Sequence, residues 1–128
     1  MTTLSTGHAN NLMDASLGTA AFVATVGPLK CRLMTVNGSS TTNGTQVTGG
    51  TYAPLTVAFS LASSGSAPQN GALAFTGIVA GTIVVGVELW DSAGTPIRKQ
   101  FGPVNTPYTV GADGLLNIAS GGIVCSFT

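Results

Sequence analysis

The feature that most constrains this 128-residue chain is a two-residue alternation of apolar side chains, recurring in short runs. Leu55, Val57, Phe59 and Leu61 alternate with Thr56, Ala58 and Ser60, and Ile83, Val85, Val87 and Leu89 repeat the pattern. In a strand, successive side chains point to opposite faces, so each run has one apolar face; on a helix the same residues scatter around the axis. Shorter runs follow the rule at Leu29–Leu33, Leu73–Phe75, Ile97–Phe101, Leu115–Ile118 and Ile123–Phe127. Turn formers separate them: Asn37-Gly38, Asn43-Gly44, the polar stretch Ser63–Gly71, which reads as a loop, and Trp90–Gly94.

Short strands at this spacing, with no helix between them, predict an all-β fold and exclude parallel βαβ units. The expected architecture is an antiparallel β-sandwich, jelly-roll or immunoglobulin-like, with one short N-terminal helix. Its expected core comprises Leu33, Leu55, Val57, Phe59, Phe75, Ile83, Val85, Val87, Leu89, Ile118, Ile123, Cys125 and Phe127. The helix is expected over Asn10–Leu17, where Ala9, Leu12, Met13, Ser16 and Leu17 share a face. Ser5 or Thr6 is placed to cap its start and Gly18 to end it. Residues 1–128 thus form one domain, with 1–28 as arm and helix and 29–128 as strands. Gly71–Trp90 is long and nearly uncharged, but its glycines and period-two alternation fit two strands better than a membrane helix.

Charge narrows the function. Only 6% of residues are charged, four acidic and four basic, against about 25% in an average soluble domain. Hydrophobic residues reach 44%, so this scarcity does not mean disorder. Zero net charge provides no field for nucleic acid or an anionic membrane. Catalysis and metal binding need clustered ionisable groups, and His8 is the sole histidine. Glu88 and Asp91 flank Trp90, but at a strand end they are expected to point apart, with Asp91 serving the turn. The reading is therefore a non-enzyme without cofactor or metal.

Cys31 and Cys125 fall on the apolar sides of their strands, which suits two buried thiols; a disulfide between them is the alternative. The opening residues MTTLSTGHANN show no basic, apolar secretory pattern, so synthesis in a cytoplasm is expected. Asn37-Gly-Ser and Asn43-Gly-Thr are then better read as turns than as glycosylation sites. Lys30 with Arg32 and Arg98 with Lys99 are the two basic pairs, both expected to be solvated or in intersubunit ion pairs; Lys30 and Arg32 share a strand face and could pair with Glu88 or with an acidic patch on a neighbour. Tyr52 and Trp90 are candidates for an interface or an aromatic sugar platform, with Lys30 and Arg32 beside them.

The order of pieces also resembles a known family. Asn11-Leu-Met-Asp-Ala-Ser-Leu-Gly18 comes first, then Gly49-Gly-Thr-Tyr-Ala53, Asn70–Phe75, Val87-Glu-Leu-Trp-Asp-Ser-Ala-Gly94 and Val110–Ile118. Together they are similar to the small virion-surface proteins of tailed, especially actinobacterial, phages, of the tail-fibre, minor tail or capsid decoration type. The resemblance implies a structural protein on the particle, made in the host cytoplasm, with no catalytic residues. The implied partners are other virion proteins and further copies of itself, as a homotrimer. The rival is a carbohydrate-binding module that attaches to host-surface glycans. An uncharged surface, with edges needing cover, agrees with self-assembly.

Overall fold

The structure, a computed structural model, describes residues 2–126. It is antiparallel β with one short helix. The elements are β1 (Thr3–Leu4), α1 (Thr6–Ser16), β2 (Leu29–Val36), β3 (Thr45–Gln46), β4 (Leu55–Phe59), β5 (Ser66–Asn70), β6 (Leu73–Phe75), β7 (Ile83–Trp90), β8 (Arg98–Thr109), β9 (Leu116–Ile118) and β10 (Val124–Ser126). The main sheet runs β1-β8-β7-β2-β4-β5-β10, with β3 beside β2, and β6 and β9 form a second, two-stranded sheet.

The main sheet curls until its two ends meet. Thr2, just before β1, forms a parallel bridge to Cys125 of β10, and its N–H donates to the Val124 carbonyl at 3.0 Å. The sandwich is thereby nearly closed, and a need to cover free edges of this sheet gives no argument for a partner. Inside, Cys31 and Leu33 of β2 meet Val87 and Leu89 of β7, and the small sheet adds Leu73, Phe75 and Leu116. The strand that closes the sheet also lies within the segment expected to be arm.

Six of the thirteen expected core residues, Leu33, Val57, Phe75, Val87, Leu89 and Ile123, are buried in this cluster, and Leu55, Phe59, Ile118 and Cys125 pack half-buried against it. Phe127 lies outside the described residues. Two assignments on β7 are corrected: Ile83 is 50% exposed and Val85 half-buried, whereas Val84 is sealed. The cause is a register shift. Gly86 pairs with Pro103 and Val84 with Tyr108, so Val85 alone faces the four residues 104–107, and the inward phase changes. Leu61 is also corrected, since β4 ends at Phe59 and Leu61 is 95% exposed.

The stretch Ser63–Gly71 is not all loop. Ser64 and Gly65 both take positive φ, and Ser63 and Ser66 exchange N–H···O bonds of 2.8 and 3.1 Å. That tight turn folds Ser66–Asn70 back as a strand. Gln69 supplies its inward side chain, with Oε1 accepting from Ile123 N–H at 3.1 Å. The helix begins earlier than expected. Ser5 occupies the N-cap position, yet its hydroxyl donates to the Arg98 carbonyl at 2.7 Å rather than accepting from the helix. Gly18, at φ +71°, ends the helix as expected.

Candidate functional site

Two regions of the surface differ in kind. The first is the outer face of β2, β7 and β8. Ladder pairing places Lys30 opposite Trp90 and Arg32 opposite Glu88, all on the side away from the apolar cluster. Glu88 is buried on that side and accepts three hydrogen bonds: from Arg98 Nη1 at 2.8 Å, Gly44 N–H at 2.7 Å and Trp90 Nε1 at 2.9 Å. The loop between β2 and β3 closes over it, and Arg98 Nη1 also donates to the Thr42 carbonyl at 2.9 Å. Gly86 lies beneath the same loop. A Cβ there would overlap Asn37 Oδ1 and approach the Gly102 carbonyl to 2.9 Å.

A second ion pair joins Lys99 Nζ to Asp91 Oδ2 at 3.4 Å. Burial alone would raise the Asp91 carboxyl, but the N–H groups of Ile97 and Ala93 and the Lys99 ammonium together hold it below its ordinary value. Asp91 thus serves the turn, as its sequence position predicts. Arg98 and Lys99 are neither solvated nor intersubunit groups: each is paired within the chain and buried. Glu88 takes Arg98 rather than Lys30 or Arg32. These four side chains are half of the chain's eight charges.

The expected aromatic platform does not form. Tyr52 stacks on Phe75 at 6.1 Å between ring centroids, against the core, and its hydroxyl accepts from Leu33 N–H at 2.9 Å. Trp90 lies on the other side of β2, where the Arg32 guanidinium covers its ring at 4.2 Å. Lys30 Nζ donates to Thr56 Oγ1 at 2.7 Å. Lys30, Arg32 and Trp90 therefore share one face, and Tyr52 belongs to another. Cys31 and Cys125 are free thiols. Burial, then the neighbouring Cys125, pushes the Cys31 thiol up to about 12, and burial also raises Cys125, so neither is a ready nucleophile. His8 is held below its ordinary value, first by burial and then by the Lys99 charge. Among the described residues, no group of His, Cys, Asp and Glu is placed to hold a metal, and no helix is long and apolar enough to cross a membrane.

The second region is the helix and the arm after it. No residue of α1 is buried. Met13, Leu17, Phe22, Val23 and Val26 are each more than half exposed. Leu4, Ala9, Leu12, Met13 and Phe22 line an open apolar groove between helix and arm, with a volume of about 810 Å³. From Ala15 to Leu29 the chain carries no charge. Both ends of this region are fixed: Ser5 N–H donates to the Lys99 carbonyl at 3.0 Å, and Ser92 N–H to the Val26 carbonyl at 2.9 Å. The sequence offered one signal for this face, the helical spacing of Leu12, Met13 and Leu17. It gave no sign that Phe22, Val23 and Val26 stay outside.

No protein-family model matches the chain, and no curated protein is similar to it.

Proposed function

We propose that the chain is a non-enzymatic structural protein of a phage particle surface, in the capsid decoration, minor capsid or small tail and tail-fibre class. It works by self-assembly, as a homotrimer, and by docking on other virion proteins, without nucleic acid, membrane or cofactor. The observation that carries this reading is the uncharged apolar face of α1 and the arm. Its five large side chains expose on the order of 500 Å² of apolar surface, more than isolated surface residues account for. Helix and arm together have about the 20–30 residues that one side of a standard interface uses. A neutral chain with such a face is colloidally unstable alone, which again favours a covered state. The buried pairing of four charges supports a non-catalytic role. Placement on a virion and the choice of three subunits rest on the family resemblance.

The test is light scattering on purified protein, with copy number per particle measured by quantitative mass spectrometry. A stable monomer at micromolar concentration would refute self-assembly. A triple variant, Leu17→Ser, Phe22→Ser and Val23→Ser, should be monomeric, with unchanged circular dichroism. Deleting residues 1–18 is the wrong experiment, because it removes Thr2 and β1 and opens the sheet. High copy number places the protein on the capsid, and a few copies place it at the tail.

A further inference from the structure

The register shift in β8 has a second effect: the four residues 104–107, set against one residue of β7, open a cleft of about 380 Å³ beside β9. Its floor is apolar and belongs to the core, with Leu33, Val84 and Val87 all buried. Its rim carries Thr106, Tyr108, Asp113 and Asn117, all exposed. Tyr108 is 48% exposed, which leaves ring surface free to stack. The acid is held in place: Asp113 Oδ1 accepts from Leu115 N–H at 3.2 Å, inside a turn closed by Gly114 N–H to the Gly111 carbonyl at 3.1 Å. Gly114 is itself pinned, at φ +67°, with its carbonyl accepting from Ile78 N–H at 3.1 Å.

We propose that this cleft binds a neutral sugar ring. The volume falls within the usual range for small-ligand sites, about 300–1,000 Å³. No cation lines it, so a phosphate or carboxylate finds no counter-charge. One carboxylate with one amide does not make a metal site. What those groups do recognise is an array of hydroxyls: the Asp113 carboxylate accepts from donors, Asn117 and Thr106 both donate and accept, and the Tyr108 ring covers an apolar C–H face. None of these residues belongs to α1 or the arm, so the cleft stands independently of the assembly reading. It also lies apart from Trp90 and Tyr52, the residues to which composition pointed for a glycan.

The experiment is an amide-detected NMR titration of the full chain with D-glucose, D-galactose, D-mannose and N-acetyl-D-glucosamine. Uracil and inorganic phosphate serve as contrasts, each ligand taken to about 20 mM, above the millimolar Kd that one ring supports. The expected result is saturable shifts confined to residues 104–118 and their neighbours on β7, for at least one sugar and for neither contrast. Tyr108→Ala should weaken that binding at least about tenfold, and Asp113→Asn by about tenfold, since the amide keeps the Leu115 bond and loses the charge. Asn117→Ala, on an exposed β9 position, repeats the test if Tyr108→Ala does not fold. The proposal is overturned if no sugar shifts these amides. Equal binding of uracil or phosphate there, or sugar binding indifferent to all three substitutions, overturns it as well.

Discussion

The Glu88–Arg98 cluster and the helix with its arm reverse the usual partition of side chains. In the cluster, charges lie inside, each with a partner, under a loop whose own backbone adds further hydrogen bonds. In the arm, large apolar side chains lie outside on a segment without charge. A buried ion pair gains little over apolar packing, but it tolerates only one arrangement, and here it ties the β2–β3 loop to β7 and β8. The arm needs no such uniqueness, because what it contributes is surface. The comparison teaches that four of the chain's eight charges serve the fold from inside, while apolar residues in excess of the core stay on the surface.

Four experiments break or sharpen that contrast. Removing Arg98 should do the most damage: Arg98→Ala leaves Glu88 buried and unpaired and should cost about 3–5 kcal/mol in chemical denaturation. Replacing both residues, Glu88→Leu with Arg98→Met, should cost less than Arg98→Ala alone. Full recovery is not expected, because Gly44 N–H and Trp90 Nε1 would lose their acceptor. A loss below about 1 kcal/mol for Arg98→Ala would place the pair with ordinary surface salt bridges and end the contrast. Gly86→Ala comes next, at about 1–3 kcal/mol, since the added methyl must displace Asn37 and the loop above it.

Acid should act third and in two steps. His8 is held low in the fold, so stability is lost as pH falls below about 6.5 towards its folded value, a step that His8→Asn removes. Asp91 is also held low, so its contribution is present above about 4 and lost as pH falls through its folded value, a step absent in Asp91→Asn. Denaturation midpoints across that range check both. The smallest effect on stability belongs to the arm: Phe22→Ser with Val23→Ser should stay within about 0.5 kcal/mol of the parent while weakening self-association. A large loss of stability would mean that these side chains serve the fold after all.

The strand β4, and β7 from Val87 to Leu89, are legible because their inward residues are apolar and evenly spaced. Strand β5 is not, because its inward residue is Gln69, which a pattern of hydropathy reads as surface. Val47, Ile78 and Val110 are buried from positions outside the strands, where alternation has no force. The shift that turns Val84 inward left one trace, Pro103 just before the arched residues and Pro107 as the last of them, since proline cannot donate to a ladder. The pairing of Glu88 with Arg98 has no local signature. It depends on the hairpin from Trp90 to Arg98 and on a loop that arrives from β2, and only the assembled sheet brings the three together.

The bridge between Thr2 and Cys125 joins residues 123 positions apart. Strand β10 is the neighbour that both β5 and Thr2 require, so the ring of strands cannot be completed until β10 is made. During synthesis the earlier strands must wait with their apolar faces uncovered, beside an arm that remains uncovered afterwards. Folding dominated by such distant pairings is slow. Newly made chains are thus exposed to wrong association for longer than a helical protein of this length.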